Sequence, residues 1–315
     1  MRRKGSFGRK VVYAAIIVTG VYLILGLGLT LAQRKLLYFP CKSSTASSQT
    51  VPAHYDFEAW RDSTGQFIGW KRLSRTAPAQ GQVLVLHGNA GCALDRIMYA
   101  DALQRSAPFD VYLLEYPGYD GRPGSPSEAT LFAAAAAGLG QMNSACEVFL
   151  IGESLGTGVA AYLAGTHPKR ITGVLLIAPY NNLTAVAQHH LPIFPARLML
   201  WDKYRSDHYL KSYHGPLAVL LAGRDDVIPS EFGRRLFQEY AGPKKLWEFP
   251  EADHDGVAQA KLEFWREVIE FWEQRGGGAT KNDETTDGHG AQSRNQFGTP
   301  KMNRREETGK TKTEK

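Results

Sequence analysis

Cysteine is scarce in this sequence of 315 residues, which contains only three. Cys41, Cys92 and Cys146 form no C-x-x-C pair and match no metal-ligand spacing. The sequence therefore excludes a disulfide-rich scaffold and a cysteine-based metal centre, and we predict no metal site. We expect unpaired or buried thiols, with a single disulfide as the alternative on an oxidising side of a membrane.

A basic surface is also absent from the central part of the chain, although the formal net charge is +6 and the isoelectric point is about 9.1. Five basic residues lie within the first ten positions, and the last 40 residues carry 8 basic and 6 acidic ones. Residues 11–275 have 24 basic and 25 acidic residues, so the positive excess belongs to the two ends. This distribution predicts no nucleic-acid partner.

Charge is missing altogether from Val11 to Ala32. These 22 residues would reach roughly 33 Å as a helix, enough for a hydrocarbon core of about 30 Å. We predict a transmembrane anchor over residues 11–32, preceded by a basic arm at 1–10. A cleavable signal peptide is the alternative, but its apolar run is shorter, and here Arg34 and Lys35 follow the run at once.

Basic residues flank this span unequally. Five precede it, and three, Arg34, Lys35 and Lys42, follow it. By the positive-inside rule we expect a single-pass protein with a cytoplasmic N-terminus. The bulk of the chain would then lie on the non-cytoplasmic side, which is the periplasm in a bacterium.

Strongly apolar residues are rare at the other end of the chain. Residues 276–315 contain four of them (Ala279, Ala291, Phe297 and Met302), too few to bury a core against the entropy of the backbone. We predict a disordered tail over 276–315, a linker over 33–50 and a folded domain over 51–275.

Between residues 51 and 275, short apolar or β-branched runs alternate with longer helical stretches, the last of them Val257–Glu273. This order is typical of an α/β domain, and we predict an eight-stranded, mostly parallel sheet with helices on both faces. Residues 183–211 interrupt the alternation with aromatic residues, proline and methionine, which we interpret as a small cap over the C-terminal edge of the sheet. The predicted strands are Tyr55–Glu58, Phe67–Lys71, Gln82–Leu86, Val111–Glu115, Val148–Ile151, Val174–Ile177, Ala218–Leu221 and Leu246–Phe249.

The pattern G-x-S-x-G occurs at residues 152–156, between a predicted strand and a predicted helix. In that context the glycines permit a strained backbone, and the serine hydroxyl is exposed at the edge of the sheet. Ser154 is therefore the candidate nucleophile, and an ordinary helix-start serine is the alternative. Glu153 needs no role beyond a carboxylate near the positive end of the helix dipole.

A serine hydroxyl needs a base to take its proton and a carboxylate to orient that base. Both residue types follow predicted strands in the expected order. Asp225 lies in the loop after the strand at 217–222, and His254 lies in the loop after Leu246–Phe249. The neighbouring Asp226 is the alternative acid, and a surface histidine is the alternative interpretation of His254.

A fourth segment, His87-Gly88-Asn89-Ala90-Gly91, follows the predicted strand Gln82–Leu86. Backbone N–H groups in such a turn, with the N–H of Leu155 at the helix start, are suited to stabilise negative charge on a carbonyl oxygen. We expect His87 to brace this turn through side-chain hydrogen bonds.

Taken together, these segments resemble the α/β-hydrolase superfamily, and in particular its membrane-anchored serine hydrolases related to the prolyl-oligopeptidase and dienelactone-hydrolase-like branch. The resemblance covers about residues 36–272 and includes Leu36-Leu37-Tyr38-Phe39-Pro40 and Glu115-Tyr116-Pro117-Gly118-Tyr119. It implies a triad of Ser154, Asp225 and His254, with Asn89 and Leu155 supplying the amides of an oxyanion hole. Asp225 stands four residues before Pro229, which matches the D-x-x-x-P spacing of the family.

These residues predict a membrane-anchored serine hydrolase that cleaves acyl esters through an acyl-enzyme and needs no cofactor. An aromatic cap beside a membrane favours a small-molecule or lipid-like acyl substrate. A peptidase or amidase of the prolyl-oligopeptidase type would use the same triad and remains the alternative within enzymes. A non-catalytic scaffold with a hydrolase fold is the alternative outside them.

Overall fold

The computed structural model describes residues 4–41 and 55–276. The start of the basic arm, residues 42–50 of the predicted linker and residues 277–315 of the predicted tail lie outside the described residues.

The strands and helices alternate through most of the described chain. The strands are β1 (Phe39–Pro40), β2 (Glu58–Arg61), β3 (Phe67–Arg72), β4 (Gly81–Leu86), β5 (Ala90–Gly91), β6 (Phe109–Leu114), β7 (Val148–Glu153), β8 (Ile171–Ile177), β9 (Leu217–Ala222) and β10 (Lys244–Phe249). The helices are α1 (Lys4–Leu37), α2 (Ile97–Ser106), α3 (Glu128–Gln141), α4 (Leu155–Thr166), α5 (Leu183–His190), α6 (Ala196–Met199), α7 (Ser206–Tyr209), α8 (Ser230–Glu239) and α9 (Leu262–Gly276). Single 3-10 turns cover Ala93–Arg96, Leu210–Ser212 and Gly256–Ala258.

Eight of these strands form one sheet in the order β10-β9-β8-β7-β4-β6-β3-β2. Strand β3 is antiparallel to both of its neighbours, and all other adjacent pairs are parallel. The predicted eight-stranded, mostly parallel sheet is confirmed. Because β4, β7, β9 and β10 run in the same direction, the loops that follow them meet at one edge of the sheet.

Alternating side chains place an apolar layer on each face of the sheet. Leu84 and Leu86 of β4 face one layer, which includes residues of α3, α4 and α8, whereas Val83 and Val85 face a second layer with residues of α2 and α9. Helices therefore cover both faces, as predicted. The buried strands read as nearly continuous apolar runs because neither face of a parallel sheet meets water.

Two of the predicted elements of the α/β domain are displaced or divided in the structure. The first strand of the sheet covers Glu58–Arg61 instead of Tyr55–Glu58, because its antiparallel pairing with β3 sets the register and buries Trp60. The last predicted helix, Val257–Glu273, is a 3-10 turn at Gly256–Ala258 followed by α9 from Leu262. The loop that carries His254 has to turn back to the sheet edge before a regular helix begins.

Helix α1 is longer than the predicted span of residues 11–32 at both ends. Its segment Phe7–Leu37 is long and apolar enough to cross a membrane. The helix also takes in the first five residues of the predicted linker and ends one residue before β1. No flexible segment separates it from the folded domain at this point.

The predicted cap, residues 183–211, contains the three short helices α5, α6 and α7 between β8 and β9. Asn182 begins α5 by accepting a hydrogen bond from the N–H of Ala185 at 2.9 Å. Pro192 follows the end of α5, and Pro195 directly precedes α6, where the missing N–H of proline removes no helical hydrogen bond.

Candidate active site

Ser154 lies between β7 and α4, at the edge of the sheet where the parallel strands end. Its φ of 51° and ψ of −118° are rare for a residue other than glycine, so the turn is strained. Two glycines make the turn sterically feasible. A Cβ on Gly152 would lie 2.6 Å from the carbonyl oxygen of Gly156, and a Cβ on Gly156 would collide with the carbonyl oxygens of Leu86 and His87.

His254 lies in the loop after β10 and bridges the two other predicted triad residues. Its Nε2 is 2.9 Å from Oγ of Ser154, and its Nδ1 is 2.7 Å from Oδ2 of Asp225. The structure therefore brings Ser154, His254 and Asp225 into one continuous chain of hydrogen bonds. Ser154 and His254 are 100 residues apart in sequence, and the parallel strand order brings them together.

Asp225, and not Asp226, is the carboxylate at His254. Its second oxygen, Oδ1, accepts the N–H groups of Val227 at 3.0 Å and Ile228 at 2.7 Å. The turn thus fixes one oxygen on the backbone and directs the other to the imidazole. Asp225 is buried and Asp226 is exposed.

The surroundings of His254 favour its protonated form. Burial opposes the charged imidazolium, but the hydrogen bond and the negative charge of Asp225 outweigh burial, and Asp255 and Glu153 add to them. The pKa of His254 is therefore raised above its ordinary value of 6.5. An imidazole in this position is a stronger base toward the hydroxyl of Ser154.

Asn89 is held rigidly in the turn after β4. Its carbonyl oxygen accepts the N–H of Phe39 at 2.9 Å and the hydroxyl of Tyr119 at 2.7 Å. Its side-chain amide donates to the carbonyl oxygen of Leu37 at 2.9 Å. The end of α1 and strand β1 therefore help to set the position of the Asn89 backbone.

The two predicted oxyanion residues lie on segments that contact Ser154. Leu155 is the first residue of α4, where a helix leaves its N–H groups without partners inside the helix. Gly88, directly before Asn89, is so close that a Cβ there would lie 3.5 Å from the Cβ of Ser154.

His87 braces the same turn, which confirms its predicted role. Nδ1 of its ring lies 2.9 Å from the carbonyl oxygen of Gly88, and Nε2 lies 3.2 Å from Oε1 of Glu115. Oε2 of Glu115 accepts the N–H of Ala93 at 3.0 Å. His87 and Glu115 are both buried, so these hydrogen bonds hold the turn from the protein interior.

Glu153 forms a partly buried ion pair that the sequence analysis missed. Arg96 donates to its carboxylate from Nε at 3.1 Å and from Nη2 at 2.5 Å, and Tyr99 donates at 2.6 Å. Burial alone would raise the pKa of Glu153, but Arg96 and Tyr99 lower it overall. The helix dipole is therefore not the main partner of this carboxylate.

Arg96 also connects this ion pair to the turn after β4. Its Nη1 lies 3.3 Å from the carbonyl oxygen of Ala90 and 3.5 Å from that of Cys92. Arg96 is 57 residues from Glu153 in sequence, and no local pattern relates two positions so far apart. The pair connects the segment of Ser154 to the segment of Asn89.

Strand β1 pairs with β5 in parallel, and the residue after each strand is a cysteine. Cys41 and Cys92 form a disulfide with their Cα atoms 5.7 Å apart, whereas Cys146 is free. The expectation of unpaired thiols is thus wrong for two of the three cysteines, because the pairing of Pro40 with Gly91 brings them side by side. We call the segment Phe39–Cys41, together with its disulfide, the strap.

One group of residues in the described part of the chain, Cys41, Cys92 and Asp120, is close enough together to surround a metal ion. The two sulfurs are joined in the disulfide, whereas cysteine binds a metal as the free thiolate. The donor set therefore does not fit a metal in the oxidised protein.

A hydroxyl bonded to an imidazole that is itself bonded to a carboxylate is the arrangement that activates serine as a nucleophile. Here it is combined with the strained turn of Ser154 and with the turn of Gly88 and Asn89 beside it. The site can therefore support acyl transfer.

Comparisons with known proteins agree with this architecture. The model of the α/β-hydrolase fold family matches residues 81–212. The uncharacterized protein Rv2307c of Mycobacterium tuberculosis is 34% identical to this chain over 229 residues, which cover 71% of this chain and 80% of that protein. The chain belongs to the α/β-hydrolase family.

Two further proteins are similar to it. Lysophosphatidylserine lipase ABHD12 of Xenopus tropicalis is 28% identical over 222 residues, 64% of this chain and 56% of that protein. The structure of the esterase Pf2001 of Pyrococcus furiosus matches with a TM-score of 0.55 and 16% identity, covering 76% of this chain and 97% of that one. At this identity the structural match shows the shared fold alone.

Proposed function

We propose that this protein is a membrane-anchored serine esterase that cleaves acyl esters. The observation that carries the proposal is the chain of hydrogen bonds from Oγ of Ser154 through His254 to Asp225, with distances of 2.9 and 2.7 Å. Few positions in a protein combine such a chain with a non-glycine residue at positive φ. Membership of the α/β-hydrolase family supports the same reaction class.

In this mechanism Oγ of Ser154 attacks the ester carbonyl carbon while Nε2 of His254 accepts the hydroxyl proton. Asp225 holds the Nδ1–H of the imidazole and stabilises the imidazolium that forms. The N–H groups of Asn89 and Leu155 bind the negative oxygen of the tetrahedral intermediate. His254 then gives its proton to the leaving alcohol, and a water molecule, activated by the same imidazole, cleaves the acyl-enzyme.

A lipid-like acyl ester is the substrate class that we propose. Helix α1 would hold the site at a membrane, and the cap beside it exposes Leu191, Ile193 and Leu198. The relative ABHD12 bears the name lysophosphatidylserine lipase, which supports a lipid ester over a peptide.

We also propose that the N-terminus is cytoplasmic and the catalytic domain non-cytoplasmic. Five basic residues before the apolar run and three after it favour this orientation. The disulfide between Cys41 and Cys92 supports it, because structural disulfides persist in oxidising compartments.

A fluorophosphonate probe tests the nucleophile in the purified full-length protein. We expect it to label the wild-type protein and not Ser154→Ala, and we expect Ser154→Ala to lose hydrolysis of p-nitrophenyl acetate by at least 10³-fold. Ser127→Ala, at the start of α3, is the control and should still be labelled. Equal labelling of wild type and Ser154→Ala, or labelling of neither, would favour the non-catalytic scaffold.

The same preparation separates ester from amide chemistry. We expect turnover of medium-chain acyl esters to exceed that of aminoacyl-proline amides. A strong preference for the amides would favour the peptidase alternative.

A further inference from the structure

The cap packs along the C-terminal half of α1. The ring of Tyr22 stacks on Phe194 with centroids 5.1 Å apart, and its hydroxyl donates to the carbonyl oxygen of Ile193 at 2.9 Å. Further along the helix, Arg34 forms an ion pair with Asp202 at 2.9 Å. Tyr22 and Arg34 are about 18 Å apart along a helix axis. The cap therefore lies alongside α1 from the last turn of the helix, at Arg34, into its apolar segment, at Tyr22.

The tip of the cap, residues 191–199, satisfies much of its own backbone. Gln188 donates to the carbonyl oxygen of Pro192 at 3.0 Å and accepts the N–H of Ala196 at 3.1 Å. Pro192 and Pro195 have no N–H to satisfy. A backbone whose polar groups are satisfied internally is what a hydrocarbon environment requires.

Whereas the backbone of the tip is largely satisfied, several of its large apolar side chains are exposed. Ile193 is 71% exposed and Leu198 is 83% exposed, with Leu191 and Trp201 exposed beside them. Contiguous exposed apolar side chains next to an apolar helix are typical of a surface that enters a membrane interface. Trp201 lies beside Arg34 in the last turn of α1, and tryptophan is enriched at the headgroup level of membranes.

A cavity of about 160 Å³ lies between α1 and the cap. Five of its lining residues belong to α1 and six to the cap segment, and most are apolar; they include Leu29, Leu36, Leu37, Ala187, Leu191 and Phe194. An apolar cavity of about 150 Å³ can hold a molecule the size of benzene. This α1–cap cavity therefore takes about six carbon atoms, and a longer chain would continue along the exposed apolar tip.

Two hydrogen bonds connect the walls of the α1–cap cavity to segments of the candidate active site. Leu37, in its wall, accepts the side-chain amide of Asn89. Helix α5, which supplies Ala187, ends at His190, whose Nε2 lies 2.9 Å from the carbonyl oxygen of Val227 in the turn of Asp225. The two walls of the cavity are thus linked by hydrogen bonds to the segments that carry Asn89 and Asp225.

We propose that the α1–cap cavity binds the acyl chain of a lipid-like ester that enters it from the bilayer. The membrane helix would then form part of the substrate-binding site as well as the anchor. An apolar lining, a wall made by the membrane helix and an exposed apolar tip all fit an acyl chain. This inference rests on the proposed esterase function.

The first experiment uses the full-length protein in phosphatidylcholine nanodiscs, with p-nitrophenyl dodecanoate and p-nitrophenyl acetate as substrates. Ala187→Phe fills the cavity, so we expect the ratio of kcat/KM for dodecanoate to that for acetate to fall about 10-fold or more. The matched control is Leu31→Phe, because Leu31 lies on the exposed side of α1 at 67% exposure. The control should leave the ratio within about twofold of the wild type.

The second experiment measures binding without turnover. The Ser154→Ala protein in the same nanodiscs is irradiated with a dodecanoic acid probe that carries a diazirine at the end of its chain. We expect labelled peptides from 29–37 of α1 and 187–200 of the cap, and at least a fivefold loss of this labelling in Ser154→Ala/Ala187→Phe.

The outcomes separate the two proposals. If the protein hydrolyses both esters and Ala187→Phe leaves the ratio unchanged, the cavity is not the acyl site, and the esterase assignment stands. Labelling only outside both segments would likewise show that the cavity is not the acyl site. If neither ester is hydrolysed but the probe labels the cavity, the chain-binding site stands and the esterase assignment fails.

Discussion

Two adjacent aspartates differ in what they contact, which makes them a matched pair for testing the acid of the triad. Asp225 is bonded to His254 at 2.7 Å, whereas Asp226 is exposed. We expect Asp225→Asn to lower kcat for p-nitrophenyl acetate by a factor on the order of 10³ to 10⁴, because the amide no longer stabilises the imidazolium. Asp226→Asn should stay within about twofold of the wild type. A larger loss in Asp226→Asn than in Asp225→Asn would reverse the assignment.

The raised pKa of His254 predicts a pH profile. A general base acts in its neutral form, so activity is lost as pH falls and the imidazole gains a proton. Because the pKa of His254 lies above 6.5, we expect the midpoint of kcat/KM against pH to lie above 6.5. Removal of the Asp225 charge lowers that pKa, so the residual activity of Asp225→Asn should have its midpoint at lower pH. A pH-stat assay with an uncharged short-chain ester measures both profiles, and identical midpoints would contradict the role of Asp225.

The sequence allowed Ser154 and His254 to be chosen as the candidate nucleophile and base because each stands directly after a recognisable strand. It could not separate Asp225 from Asp226 by local pattern alone, because the choice depends on the two backbone N–H groups that fix Oδ1 of Asp225. Arg96 and Glu153 were missed for a related reason. Each side chain looks like an ordinary surface charge until the fold buries the two together.

The strap ties the end of α1 to the turn that carries Asn89. We expect Cys92→Ser to lower kcat for p-nitrophenyl acetate about 10-fold with little change in KM, since a displaced oxyanion donor weakens binding of the transition state more than of the substrate. Cys146→Ser is the control, because Cys146 is free, and should leave kcat unchanged. Circular dichroism verifies that both variants are folded. Wild-type kcat in folded Cys92→Ser would show that hydrogen bonds alone hold the turn.

Elements with a strong apolar pattern, such as β4, β7 and β9, could be predicted from the sequence within a few residues. The strands β1 and β5 could not, because each has two residues and exists only through pairing with the other. Strand β2 was displaced for the same reason, since its register depends on β3. Pairing partners, rather than propensity, determine such short strands.

The proposed orientation of the whole molecule can be tested with single cysteines in a Cys146→Ser background. Ser63 lies in the exposed turn between β2 and β3, and Gly8 lies near the start of α1. We expect a membrane-impermeant maleimide to label Ser63→Cys in intact spheroplasts and to label Gly8→Cys only after lysis. The opposite pattern would place the catalytic domain in the cytoplasm.

The overall plan of an apolar helix, an α/β domain and a cap could be predicted from composition and alternation. The packing of the cap against α1 could not, because both surfaces are apolar for reasons that a sequence does not distinguish. An apolar residue on α1 fits contact with lipid and contact with the cap equally well. Contacts with the cap, such as those of Tyr22 and Arg34, reveal which side of the helix faces protein.

A single residue, Tyr38, separates the last turn of α1 from the strap. A tether of many flexible residues would let the domain swing through a wide volume above the lipid. With α1 anchored in a membrane as proposed, the short junction would keep the hydroxyl of Ser154 at a nearly constant height relative to the headgroups. The domain would then meet lipid molecules by lateral diffusion within a plane, always presenting the same side to them.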